Sequence, residues 1–151
     1  AFASHFPGPE PLAKPDFPRV AFDLRHAASQ RLQQALLEIA PAAFEFLPFR
    51  TRTSIGEDVT AEYALLHYLI TVDAVDKRNS VLAPHETRFQ RRKDFGGDYV
   101  LDRVVLCRRK LTHPICRVLG WSRFHLYRDD VVESLRRQNI TGLRFTAVEL
   151  V

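Results

Sequence analysis

The sequence predicts a single α+β domain, with an antiparallel or mixed sheet and two short helices. Three observations lead there. Short alternating apolar segments recur along much of the chain, as half-buried strands require. Two segments instead space their apolar residues three and four apart, as amphipathic helices do. The length of 151 residues, 46% of them hydrophobic and 11 of them Phe, suits one well-buried core.

Residues 1–18 hold five of the nine prolines, which lack the donor that helices and sheets need. They are expected to form an extended N-terminal arm, leaving residues 19–151 as the domain. Val20-Ala21-Phe22-Asp23-Leu24 alternates as a strand. Ser29 offers an N-cap to a helix with Leu32, Ala35, Leu36 and Ile39 along one stripe. Pro41 ends that helix, and Phe44 to Phe49 reads as the next strand. Tyr63, Leu65, His67 and Leu69 alternate as a strand would, although Ala61 to Leu69 also contains good helix formers. Lys77 to Asp98, with Pro84, Gly96 and Gly97, is the longest expected loop. Tyr99–Cys107 and Ile115–Leu119 read as strands, with Thr112-His113-Pro114 as a hairpin turn between them. Phe124 to Tyr127 is strand-like, and Asp129 or Asp130 is expected to cap a helix with Val131, Val132 and Leu135 inward. Asn139 to Gly142 stops that helix before a closing strand from Leu143 to Val148. The two strand–helix–strand units align Phe22 with Phe124 and Leu24 with Leu126. An internal pseudo-repeat and the ordinary recurrence of such units in α+β domains both fit.

Charge divides the chain. Residues 1–76 carry 6 basic and 10 acidic side chains, whereas residues 77–151 carry 16 and 8. That polarity suits an acidic protein face, nucleic acid or neither. The clusters Arg91-Arg92-Lys93 and Arg108-Arg109-Lys110, with Phe89, Phe95 and Tyr99 nearby, form the strongest nucleic-acid candidate, a basic stretch over residues 88–110. Asp94, Asp98 and Asp102 interleave with it, as on a solvated face. His85-Glu86 lacks the second His of a zinc-protease helix, since position 89 is Phe. Asp94-Phe95-Gly96 stands without the other kinase motifs. Asp73 and Asp76 are read as turn-bonding or ion-paired carboxylates rather than as an acid–base pair. The six histidines lack a hydrolase elbow, so a small hydrolase with a cryptic triad is the distant reading. No metal or cofactor is expected. Cys107 and Cys116 are read as buried free thiols of a cytoplasmic protein. No apolar run reaches the roughly 20 residues that span a bilayer, and no signal-peptide pattern opens the chain. The absence of Met at position 1 is read as trimming of the start.

Several short motifs carry a resemblance when taken in order. Pro15-Asp16-Phe17 comes first, then Phe44-Glu45-Phe46-Leu47-Pro48. Val72-Asp73-Ala74-Val75-Asp76 with Ser80, Val104-Val105-Leu106, and Ile115-Cys116-Arg117-Val118 follow. A capped helix and Thr141-Gly142-Leu143-Arg144-Phe145 close the series. Over residues 15–151 the chain resembles the eleventh immunity family of bacterial polymorphic-toxin systems, with Cys116 where an aromatic residue is more usual. The resemblance implies a non-enzymatic cytoplasmic protein that binds a cognate toxin and blocks it. Candidate contacts are the acidic Glu57, Asp58 and Glu62, and, from the aromatic and basic residues, Phe89, Arg91, Arg92, Trp121, Arg123 and Tyr127. The sequence leaves the choice between the acidic and basic faces open, as it does the oligomeric state.

Overall fold

The computed structural model describes residues 2–7, 16–17, 26–50, 56, 58, 60–82 and 101–151. The chain opens with β1 (Phe2–Pro7), then β2 (His26–Ser29), α1 (Gln30–Ile39), a 3-10 turn (Pro41–Ala43) and β3 (Phe44–Leu47). A second 3-10 turn (Thr60–Glu62) leads into β4 (Tyr63–Tyr68), followed by β5 (Thr71–Val72) and β6 (Val81–Leu82). Next come β7 (Leu101–Arg103), β8 (Val105–Leu106), a 3-10 turn (Arg108–Lys110) and β9 (Ile115–Val118). β10 (Trp121–Arg128), α2 (Asp129–Arg137), β11 (Leu143–Ala147) and β12 (Glu149–Leu150) complete it. Neither helix is long and apolar enough to cross a membrane.

The largest sheet has the order β11-β1-β10-β9-β5 and a second has the order β2-β4-β3. Both are built on one plan. β2 and β3 each run antiparallel to β4, which lies between them. β10 and β11 each run antiparallel to β1, which lies between them. Each helix therefore links two mutually parallel strands across an inserted third, a split β-α-β unit. The spacing is identical: α1 begins at 30 and β3 at 44, while α2 begins at 129 and β11 at 143. A constant offset of 99 pairs His26 with His125, Leu36 with Leu135 and Phe46 with Phe145. Of the two readings the sequence leaves open, the pseudo-repeat fits this shared plan, in a register three residues from the alignment of Leu24 with Leu126: Leu126 corresponds to Ala27. Phe22 and Leu24 lie outside the described residues.

Five expectations need correction. Within the segment expected as an arm, Phe2–Pro7 forms β1, an interior strand of the large sheet. Its Pro7 sits at the last position of that strand, where loss of a donor costs least. β4 buries Leu66 and Tyr68, the set opposite to the alternation read from the sequence, and Leu69 beyond it is half exposed. No hairpin joins the strands around Thr112–Pro114. β8 pairs with β12, while β9 pairs with β10 and β5. The stretch read as one strand to Cys107 breaks at Val104, with β7 pairing β6 and β8 pairing β12. Within the expected long loop, Val81–Leu82 is strand β6, and residues 83–98 lie outside the described residues.

Two cores follow from the pleat of β9 and β10. Ile115 and Tyr127 point to one face, where Leu32, Ala35 and Leu36 of α1 meet Val131, Val132 and Leu135 of α2 along with Phe44, Leu66 and Tyr68. Cys116, Val118 and Leu126 point to the other, packing on Ala74, Val75, Leu106 and Leu111. The first core thus joins the two split units. Cys116 is buried, and burial pushes its thiol up to about 11, so it behaves as packing material. Cys107 is only half-buried, because it stands at the last position before the exposed 3-10 turn.

Candidate functional site

The Asp16 carboxylate, 6% exposed as a residue, ties the two units together. It accepts from Ser29 Oγ (2.7 Å), from Arg31 Nε (3.1 Å) and from Arg31 Nη2 on the α1 side. On the α2 side it accepts from the Thr141 amide (2.8 Å) and Thr141 Oγ1 (2.9 Å). Arg31 Nη2 also donates to the Asn139 carbonyl at 3.0 Å. Asn139 (φ 52) and Gly142 (φ 82) adopt the left-handed turn that brings Thr141 to this point. Burial raises the Asp16 carboxyl, but the hydrogen bonds from Arg31, Ser29 and Thr141 outweigh it and hold the group at about 2. Ser29 meanwhile caps α1 through Leu32 N, as the sequence predicts.

A buried column of rings runs behind this tie. Phe17 stacks on His26 at 4.5 Å, and His26 meets His125 edge-on at 5.6 Å. His125 stacks on Tyr68 at 3.7 Å. The Tyr68 and Tyr127 hydroxyls share a hydrogen bond of 2.5 Å, and burial pushes both phenols above their ordinary value. Sequence reading treated His26 and His125 as scattered. Their equivalence at the 99-residue offset was the signal that would have joined them.

The remaining motif residues also serve the fold. Asp76 accepts from the Arg78 and Asn79 amides and from Asn79 Nδ2, closing the turn between β5 and β6. These bonds hold its carboxyl below the ordinary value. Ser80 Oγ bonds both the amide and the carbonyl of Val105. Asp73 lies 4.0 Å from Lys110, rather than beside Arg117 or the turn cations.

Five of the nine sequence-predicted contact residues lie among the described residues. Asp58 and Glu62 are exposed around the second 3-10 turn, where Asp58 Oδ1 accepts the Thr60 amide at 2.9 Å. Trp121 starts β10, half-buried against the second core. Arg123 lies within β10. Glu57, Phe89, Arg91 and Arg92 lie outside the described residues. Tyr127 is a correction: at 1% exposure, with its hydroxyl bonded to Tyr68, it offers no surface to a partner. The strand pleat turns it inward beside His125.

Exposed cations differ in whether a carboxylate already answers them. Arg103 forms a double bond pattern with Glu149, Arg128 with Asp130, and Arg31 with Asp16. Arg108 and Arg109, on the 3-10 turn, have no acidic partner among the described residues.

Fold and surface define a small α+β protein made of two split β-α-β units, whose motif residues hold the two units and their turns together. A family profile matches residues 16–149, and its description is an immunity protein family, Imm11. The chain belongs to that family. No curated protein matches it.

Proposed function

We propose that this chain is an immunity protein that binds a cognate bacterial toxin in the cytoplasm and neutralises it without catalysis. The family match over residues 16–149 carries the reading. The geometry agrees with it. Of the two carboxylates weighed for acid–base chemistry, Asp76 closes a turn and Asp73 lies 4.0 Å from Lys110, while Asp16 ties the two units together. An inhibitor works through a rigid surface, and such interfaces commonly bury about 1,600 Å² in total. Asp58, Glu62, Trp121 and Arg123 stay as proposed contacts, together with Glu57, Phe89, Arg91 and Arg92.

The test uses the purified chain as bait in nuclease-treated lysate, eluted at low and then high salt. The captured toxin domain is then expressed, titrated against the chain, and assayed for toxicity with and without it. A 1:1 complex that abolishes toxicity is the expected result. Release of nucleic-acid proteins at moderate salt, with affinity falling by about 10³ over a fourfold salt increase, would instead support a nucleic-acid-binding module.

A further inference from the structure

We propose that the 3-10 turn Arg108–Lys110 is the surface by which this protein receives an acidic face of its protein partner. The proposal rests on the toxin-binding reading above and names the place and chemistry of contact.

The backbone of this turn is held on three sides. Cys107 N donates to Ala74 O at 2.8 Å and Arg108 N to Val151 O at 2.8 Å. Lys110 N returns to Cys107 O at 3.1 Å and Leu111 N to Arg108 O at 3.0 Å, while the Leu111 side chain is buried in the second core. A fixed backbone therefore presents three consecutive exposed cations. At about three residues per turn, successive side chains of a 3-10 turn fan out in different directions. Lys110 leans toward Asp73, leaving Arg108 and Arg109 as the two cations of this turn with no carboxylate partner among the described residues.

Two other basic pairs among the described residues sit beside an offsetting feature of the fold. Arg136 and Arg137 end α2, where positive charge complements the helix dipole. The turn holding Lys77 and Arg78 is closed by the Asp76 carboxylate. On the acidic side, Asp58 accepts the Thr60 amide. Arg108 and Arg109 thus present charge that no carboxylate among the described residues pairs, on a preformed support, and Arg is enriched among the residues that dominate protein interfaces. Nucleic acid suits this turn less well. It needs a track of cations answering several phosphates, and here Asp73 interrupts the run beside Lys110.

The test compares the wild-type chain with Arg108→Glu/Arg109→Glu, titrated against the toxin domain captured above at low and physiological salt. Lys77→Glu/Arg78→Glu, which changes net charge equally, is the control. The 108/109 variant is expected to bind roughly 100-fold more weakly, mostly through slower association at low salt, and the control within about threefold of wild type. Melting curves establish that both variants fold; should charge reversal unfold the chain, Arg108→Ala/Arg109→Ala gives the same comparison. Equal loss in both variants reduces the effect to net charge and overturns the proposal, as does wild-type affinity in the 108/109 variant. Binding of a single-stranded DNA oligonucleotide that disappears in the 108/109 variant would assign the turn to nucleic acid. Failure of the wild-type chain to bind any captured toxin sinks the functional reading itself, a result distinguishable from failure of the turn alone.

Discussion

Five hydrogen bonds converge on the Asp16 carboxylate from Ser29, Arg31 and Thr141. With the group held at about 2 against an ordinary 3.8, its ionised form stabilises the fold by about 2 kcal/mol. A depressed carboxyl contributes fully above its unfolded value and loses that contribution as pH falls toward its folded value. Asp16→Asn should therefore lower stability by roughly 2–4 kcal/mol in urea at pH 7, since an amide group would face donors. The gap between variant and wild type should shrink between about pH 4 and pH 2. A gap unchanged over that range would remove the ionised tie. At Gly142, φ 82 is costly for any side chain, so Gly142→Ala should cost about 1 kcal/mol in thermal unfolding. The sequence marked both residues, Gly142 as a helix stop and Asp16 within a family motif. The link from Asp16 to Thr141 spans 125 positions, and no local pattern reports such a contact.

The two helices test local rules side by side. α1 has Ser29 as its N-cap, whereas α2 is preceded by Arg128, whose side chain makes no cap bond. Asp129 and Asp130, expected as caps, instead occupy the first turn, where negative charge offsets the dipole. Arg128 already has the extended backbone of a cap residue (φ −68, ψ 150). Arg128→Ser should stabilise the fold by about 0.5–1 kcal/mol, because the lost pair with Asp130 is exposed and worth little. Ser29→Ala should lose more than an ordinary cap, since Ser29 also donates to Asp16. Thermal melts of both variants decide the matter. Helix positions were legible because a 3.6-residue period marks an inward face whatever lies opposite. The face of β4 was not. It is the middle strand of its sheet with apolar residues in both alternating sets, and packing of Leu66 and Tyr68 into the first core decides its inward face.

At the scale of the molecule, β9 and β10 carry both cores on opposite faces, so the two should melt together. Leu36→Ala in the first core should cost about 2–5 kcal/mol and move the Trp121 fluorescence transition of the second core by the same amount. Separate midpoints by fluorescence and circular dichroism would show two independent units. The same rigidity underlies the proposed contact at Arg108 and Arg109, since a turn anchored to Ala74 and Val151 keeps its charges in place before a partner arrives. By itself, the sequence determined the α+β class, both helices with their inward residues, the left-handed stop at Gly142 and the motif order of an immunity family. These depend on near neighbours along the chain or on residue identity. Only the tertiary structure decided the insertion of β1 between β10 and β11, the shared plan and register of the two split units, the burial of Tyr127 and the lack of a carboxylate partner for Arg108 and Arg109 among the described residues. Those depend on which distant segments meet, and pairing between strands more than a hundred residues apart leaves no periodic trace in either one.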